Sequence, residues 1–171
     1  MEPDEDWERR LSEWWASFDE HDEDEAVAGI EALAAELPAD HAVAAYERAS
    51  ALDSVGRPGP AVALYRQALA AGLGPDRRRQ AVIQLASSLR NLGEAGESVA
   101  LLAAERIADA DELDDAVAAF LALALADSGR EREAVAVALT ALSRHMTRYR
   151  RSLSAYAAEL VPGPDLGVDA P

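Results

Sequence analysis

The chain has 171 residues, half of them hydrophobic, which suits one domain with a real core and argues against wholesale disorder. Its formal charge is −16, every basic side chain is an arginine, and cysteine is absent. Disulfides, thiolate chemistry and cysteine-ligated metals are thereby excluded, and so large a negative charge argues against nucleic acid and anionic lipid as partners.

Alanine and leucine dominate and aromatics make up only 5%, a mixture that favours helix over sheet. The start, Met1-Glu2-Pro3-Asp4-Glu5-Asp6, lacks the basic and apolar regions of a secretory signal. The longest apolar run, Ala116 to Ala126, falls short of the ~18–20 residues of a membrane span. A cytoplasmic protein without membrane contact is the expectation.

Residues 1–6 read as a flexible acidic start. Trp7, Leu11, Trp14 and Phe18 then recur at the spacing of one helical stripe. Past the acidic stretch Asp19–Glu25, Ala26 to Leu37 forms a second helix, stopped by Pro38. Asp40 is the expected N-cap of the next helix, which reaches Ser54. A turn at Gly56-Arg57-Pro58-Gly59-Pro60 leads to a helix over Ala61–Ala71. After Gly72-Leu73-Gly74-Pro75, Asp76 is placed to cap a helix over Arg77–Asn91. Breaks at Gly93 and Gly129 separate further helices over 95–107, 111–127 and 132–142. An amphipathic stretch at 147–160 closes the series, and 161–171 reads as a flexible tail. The expected domain is therefore 7–160, with pairs over about 7–37, 40–71, 77–107 and 111–142 and a closing helix.

The breaks recur. His21, Gly56, Gly93 and Gly129 are separated by 35, 37 and 36 residues. Setting each break as position fifteen of a unit makes position eight small: Ala49, Ala86 and Ala122. Position twenty, its partner on the second helix, is also small: Ala26, Ala61, Ser98 and Ala134. Small residues at both places let two helices approach closely. Position eleven is leucine three times, at Leu52, Leu89 and Leu125, and position twenty-seven is alanine at Ala68 and Ala141. Two departures stand out: Trp14 at position eight of the first unit and Glu105 at position twenty-seven of the third.

Helix pairs with a period of about 34 residues are the signature of tetratricopeptide repeats. The segments Asp53–Leu69 and Arg77–Gly93 resemble that family, and the second is similar to its small stand-alone bacterial members. The resemblance covers roughly residues 40 to 160. It implies an all-α, right-handed superhelical stack of antiparallel helix pairs, with a concave face lined by first helices. It also implies a non-enzymatic role in binding a protein or peptide. The family's chaperone-type members grip a terminal carboxylate with lysines, and a chain without lysine cannot carry that clamp over.

No nucleophile–base motif, phosphate loop or dinucleotide fingerprint occurs. The acidic run Asp19–Glu25 lacks the glycine and alternating oxygen ligands of a calcium loop and reads as acid at a helix N-terminus. His21, His41 and His145 are too scattered for a metal or catalytic set, so neither metal nor cofactor is expected. Arg77-Arg78-Arg79 opposes a helix dipole, either as inter-repeat ion pairs to Asp40, Asp114 and Asp115 or as a contact to an acidic partner.

The first-helix positions expected to face the groove give Tyr46, Ser50, Asp53, Gln80, Ile83, Gln84, Ser87, Arg90, Asn91, Phe120, Leu123 and Asp127. Their amides, hydroxyls and aromatics suit directional hydrogen bonding to an extended peptide. Arg90 stands one unit from Asp53 and one from Asp127, either as a brace between them or as a donor to a ligand. An alternative function is self-association as a homodimer. Trp7, Trp14 and Trp15 cannot share one stripe, because Trp14 and Trp15 point about 100° apart. A small-molecule sensor pocket in the same groove is a third reading.

Overall fold

The computed structural model describes residues 3–106 and 112–161. The expected helix ends at 107 and 111 and the tail from 162 onward lie outside the described residues. Those described form nine α-helices and a single 3-10 turn, with no strand.

They divide into two compact units, 1–94 and 95–171. The first contains α1 (Glu5–Ser17), the 3-10 turn Phe18–Glu20, α2 (Glu23–Ala34), α3 (Ala42–Ser54), α4 (Pro58–Ala71) and α5 (Pro75–Asn91). The second contains α6 (Ala95–Glu105), α7 (Asp114–Asp127), α8 (Glu131–His145) and α9 (Arg150–Glu159). The division falls inside the third expected pair, between α5 and α6. Within each unit, helices consecutive in sequence pack on one another, most extensively α3 on α4 and α7 on α8.

Local chemistry sets the helix ends. Asp4 and Asp22 accept hydrogen bonds from the amides of Trp7 and Glu25, both at 2.9 Å, so α1 already includes Glu5 and Asp6. The acidic run thus places Glu23, Asp24 and Glu25 in the first turn of α2, where the dipole favours negative charge. Two expected caps differ. His41, not Asp40, caps α3 by accepting from the Val43 amide at 3.2 Å. Asp76 lies inside the first turn of α5, because Pro75, whose missing N–H costs nothing there, already starts that helix.

Three turns share one geometry. Gly56, Gly93 and Gly129 have φ of 71°, 87° and 76°, a left-handed conformation that glycine adopts without a Cβ penalty. At each, the next amide reaches back five residues: Arg57 to Leu52, Glu94 to Leu89 and Arg130 to Leu125, at 2.8–2.9 Å. This pairing satisfies carbonyls that the helix end leaves open. The periodic glycines therefore end a first helix at the same step of three repeats.

Most of the small-residue positions are buried. Ala26, Ala61, Ser98 and Ala134 at position twenty are all buried, as are Ala49 and Ala86 at position eight. Ala122 is only half-buried; on α7 the buried face runs through Val117, Ala118, Leu121, Ala124 and Leu125. Glu105, at position twenty-seven, is 3% exposed and ends α6.

The first pair solves its own exception. Trp14 stands where the pattern wants a small residue, and the space comes from Gly29 on α2. A Cβ built on Gly29 would lie 1.9 Å from the Trp14 ring. The indole is pinned by donating to the Ala26 carbonyl at 3.1 Å and by stacking on His21 with centroids 4.5 Å apart. Gly29→Ala gains about 1 kcal/mol of helix propensity. Overpacking against the pinned ring costs typically ~1–3 kcal/mol and wins. The expected result is a lowered denaturant midpoint for Gly29→Ala. Gly96→Ala on α6, where a Cβ meets nothing within 4 Å, is the control and raises it.

Candidate functional site

Helices α1, α3 and α5 are the first members of successive pairs, and their facing side chains line an open cavity of about 550 Å³ in the first unit. α1 contributes Glu8, Leu11, Ser12 and Trp15; α3 contributes Tyr46, Glu47, Ser50 and Ser54; α5 contributes Asp76, Arg77, Gln80 and Gln84. The spacings of four within α3 and α5 put these residues on one helical face, turn above turn.

The repeat offset builds the hydrogen-bond pattern. The Tyr46 hydroxyl donates to Gln80 Oε1 at 2.9 Å, and the Ser50 hydroxyl donates to Gln84 Oε1 at 3.3 Å. Each pair is 34 residues apart. One step further along, Ser88 donates to Asp53 at 2.8 Å, 35 residues apart. With their oxygens engaged, Gln80 and Gln84 still carry amide N–H donors, one helical turn or about 6 Å apart. Burial pushes the Tyr46 phenol up to about 12 and raises that of Tyr65 beside it further, so both stay protonated and able to donate.

The floor is ionic. Glu47 is 4% exposed, yet accepts from Trp15 Nε1 at 2.9 Å and from Arg77 Nε at 3.3 Å. The other side of the Arg77 guanidinium donates to Glu8 at 2.6 Å. Burial raises the Glu47 pKa despite these contacts, because Arg77 is shared between two carboxylates and its closer contact is to Glu8. Burial works against the charge on Arg77, but the Glu8 hydrogen bond and the field of Glu47 outweigh it and hold its pKa up. Asp53 is likewise raised by burial, opposed by the Ser88 hydroxyl.

Of the residues expected in a groove, Tyr46, Ser50, Gln80 and Gln84 come together in this cavity. Asp53 lies half-buried behind it on Ser88. Ile83 is 6% exposed and belongs to the core, because α5 carries a wider apolar face than the periodic reading assumed. Ser87, Arg90 and Asn91 lie toward the C-terminal end of α5, outside the cavity lining, with Arg90 donating to Asn91 at 3.3 Å. Phe120, half-buried, and Leu123 and Asp127, both exposed, lie on α7 in the second unit.

Trp7 is no surface residue. It is 3% exposed, and its indole donates to the Leu33 carbonyl at 2.9 Å. The apolar stripe that marks α1 points it inward. Trp14 and Trp15 are half-buried, and Trp15 stacks on Phe18 with centroids 4.6 Å apart. Arg77 does form an ion pair between elements, but with Glu8 and Glu47 instead of Asp40; Asp114 and Asp115 meet Arg144 and His145. The repeat pattern marks neither Glu8 nor Glu47 as a partner of Arg77. Glu47 occupies position six, next to groove position five, and only its distant neighbours Trp15 and Arg77 reveal its role.

Among the described residues no group of three or more His, Asp or Glu is arranged to hold a metal ion, and none of the helices is long and apolar enough to cross a membrane. No curated protein and no solved structure matches the chain. The model of the tetratrico peptide repeat family matches residues 42–160, from the first residue of α3 to just past the end of α9. Helix pairs, left-handed glycine turns and small crossing residues say the same, so the chain belongs to the tetratricopeptide repeat family, whose fold is typical of protein–protein interaction modules.

Proposed function

We propose that the chain is a peptide-binding adaptor and that the cavity on α1, α3 and α5 is where the peptide lies. The observation that carries this reading is the pair of inter-helix bonds Tyr46–Gln80 and Ser50–Gln84. They fix the two glutamine oxygens and leave amide donors about 6 Å apart on one face. An extended peptide presents carbonyls on one side every two residues, at roughly 6.6 Å. The two spacings match closely enough for two successive carbonyls to be held. Trp15, half-buried in the cavity wall, gives an apolar side chain a surface beside the ladder.

Panning a displayed random-peptide library against the whole protein tests this. Enriched peptides are expected to bind the wild type and to lose about tenfold on Gln80→Ala/Gln84→Ala, since two hydrogen bonds contribute roughly 1–3 kcal/mol together. Peptides that bind the double variant as tightly as the wild type overturn the assignment to this cavity.

A further inference from the structure

From Arg144 to Ala158 the sequence has four arginines and no carboxylate, in a chain where acids outnumber bases 32 to 16. Six arginines elsewhere, Arg9, Arg10, Arg48, Arg57, Arg77 and Arg130, pair with carboxylates. At the start of the basic stretch, Arg144 and His145 reach back from α8 to Asp114 and Asp115 on α7. Arg148, Arg150 and Arg151 do not. All three are exposed, and among the described residues none meets a carboxylate.

Tyr149 sits in the middle of them. It is 76% exposed and has φ of 64°, a left-handed conformation in a residue with a Cβ. That conformation costs roughly 1–2 kcal/mol. It forms the corner between α8 and α9, with a guanidinium on each side. Tyr156, 64% exposed, follows seven residues later on α9. The second unit thus carries exposed rings and unpaired guanidiniums on one short stretch, without a protein partner for either.

We propose that this corner docks a short acidic peptide segment that also carries an aromatic or aliphatic side chain. Guanidinium forks match carboxylates in geometry as well as charge. The tyrosine rings provide the apolar contact, and side chains with two rotatable bonds lose little entropy on binding. A short segment is favoured over a nucleic acid by the rest of the molecule. Three cations neutralise only three phosphates, and a longer polyanion would run within a Debye length, about 8 Å, of a surface that is otherwise strongly negative. The inference is independent of the α1–α3–α5 cavity and stands or falls separately from it.

The probe is a fluorescein-labelled synthetic peptide of alternating glutamate and phenylalanine, titrated into the full chain by anisotropy. The expected result is saturable binding that weakens as salt rises, with at least a tenfold loss in Arg148→Ser/Arg150→Ser/Arg151→Ser. The thermal melt of that variant should match the wild type, because the replaced side chains are exposed. Tyr149→Asn, which tolerates the same backbone conformation, should bind several-fold more weakly. Equal binding of a glutamine-for-glutamate peptide, or full affinity in the triple arginine variant, overturns the proposal. So does more effective competition by single-stranded DNA or by anionic phospholipid vesicles than by the unlabelled acidic peptide.

Discussion

Arg77→Met is expected to destabilise the protein on the order of 2–3 kcal/mol at neutral pH. Removing one partner of a buried pair leaves the other charge uncompensated, at a typical cost of about 3–5 kcal/mol. Here the figure is discounted, because the Arg77 side chain keeps 24% of its exposure and its contact with Glu47 is long, at 3.3 Å. Methionine preserves the stem, so the loss reports charge more than packing. The pH dependence identifies the residue responsible. Glu47 has a folded pKa already above its unfolded value, so its contribution favours folding below the unfolded pKa and fades as pH rises through the folded one. Loss of Arg77 raises the folded pKa further. The deficit of Arg77→Met relative to wild type should therefore be largest near neutrality and shrink as pH falls through that raised pKa. Denaturant midpoints at two pH values measure it. The double variant Arg77→Met/Glu47→Leu should recover most of the stability, since an apolar replacement of a buried pair is often neutral or better. A deficit that stays constant with pH would assign the loss to packing instead.

Ala61→Leu should lower the melting temperature by several degrees. Ala61 and Ala49 are both fully buried, on the two helices with the most extensive mutual packing in the first unit. Three additional heavy atoms at such a crossing must separate α3 from α4 or bend off-rotamer, costing typically ~1–3 kcal/mol. For a domain of this size that corresponds to about 2–4 °C per kcal/mol. Ala63→Leu, exposed on the same helix, serves as the reference and should leave the melt nearly unchanged. An equal effect of both substitutions would show that the crossing is not where the small residues are needed.

The fold was legible because its signals are local and repeated. Glycine at the turn and alanine or serine at position twenty each require only a neighbour in the same pair, and the period makes each of them visible several times. A third of the cavity lining was legible for the same reason: Tyr46 with Gln80 and Ser50 with Gln84 follow from the offset of one repeat. What stayed hidden lies where contacts skip that offset. Trp15 meets Glu47 across 32 residues, and Arg77 meets Glu8 across 69. No periodicity carries such pairs, and a buried glutamate beside a groove position looks like any surface glutamate of a helix. Ile83 was misplaced for a related reason. A helix covered by neighbours on more than one side buries positions that a one-sided pattern assigns to the surface.

The exchange of sizes between Trp14 and Gly29 constrains how the leading pair can evolve. In the pairs that follow, position eight is alanine and position twenty alanine or serine, so neither site depends on a matched exchange of sizes. The first pair depends on one. Shrinking Trp14 leaves a void over Gly29, and enlarging Gly29 drives into the ring. The two sites are therefore locked as a unit, and drift toward the common repeat pattern is blocked from either side.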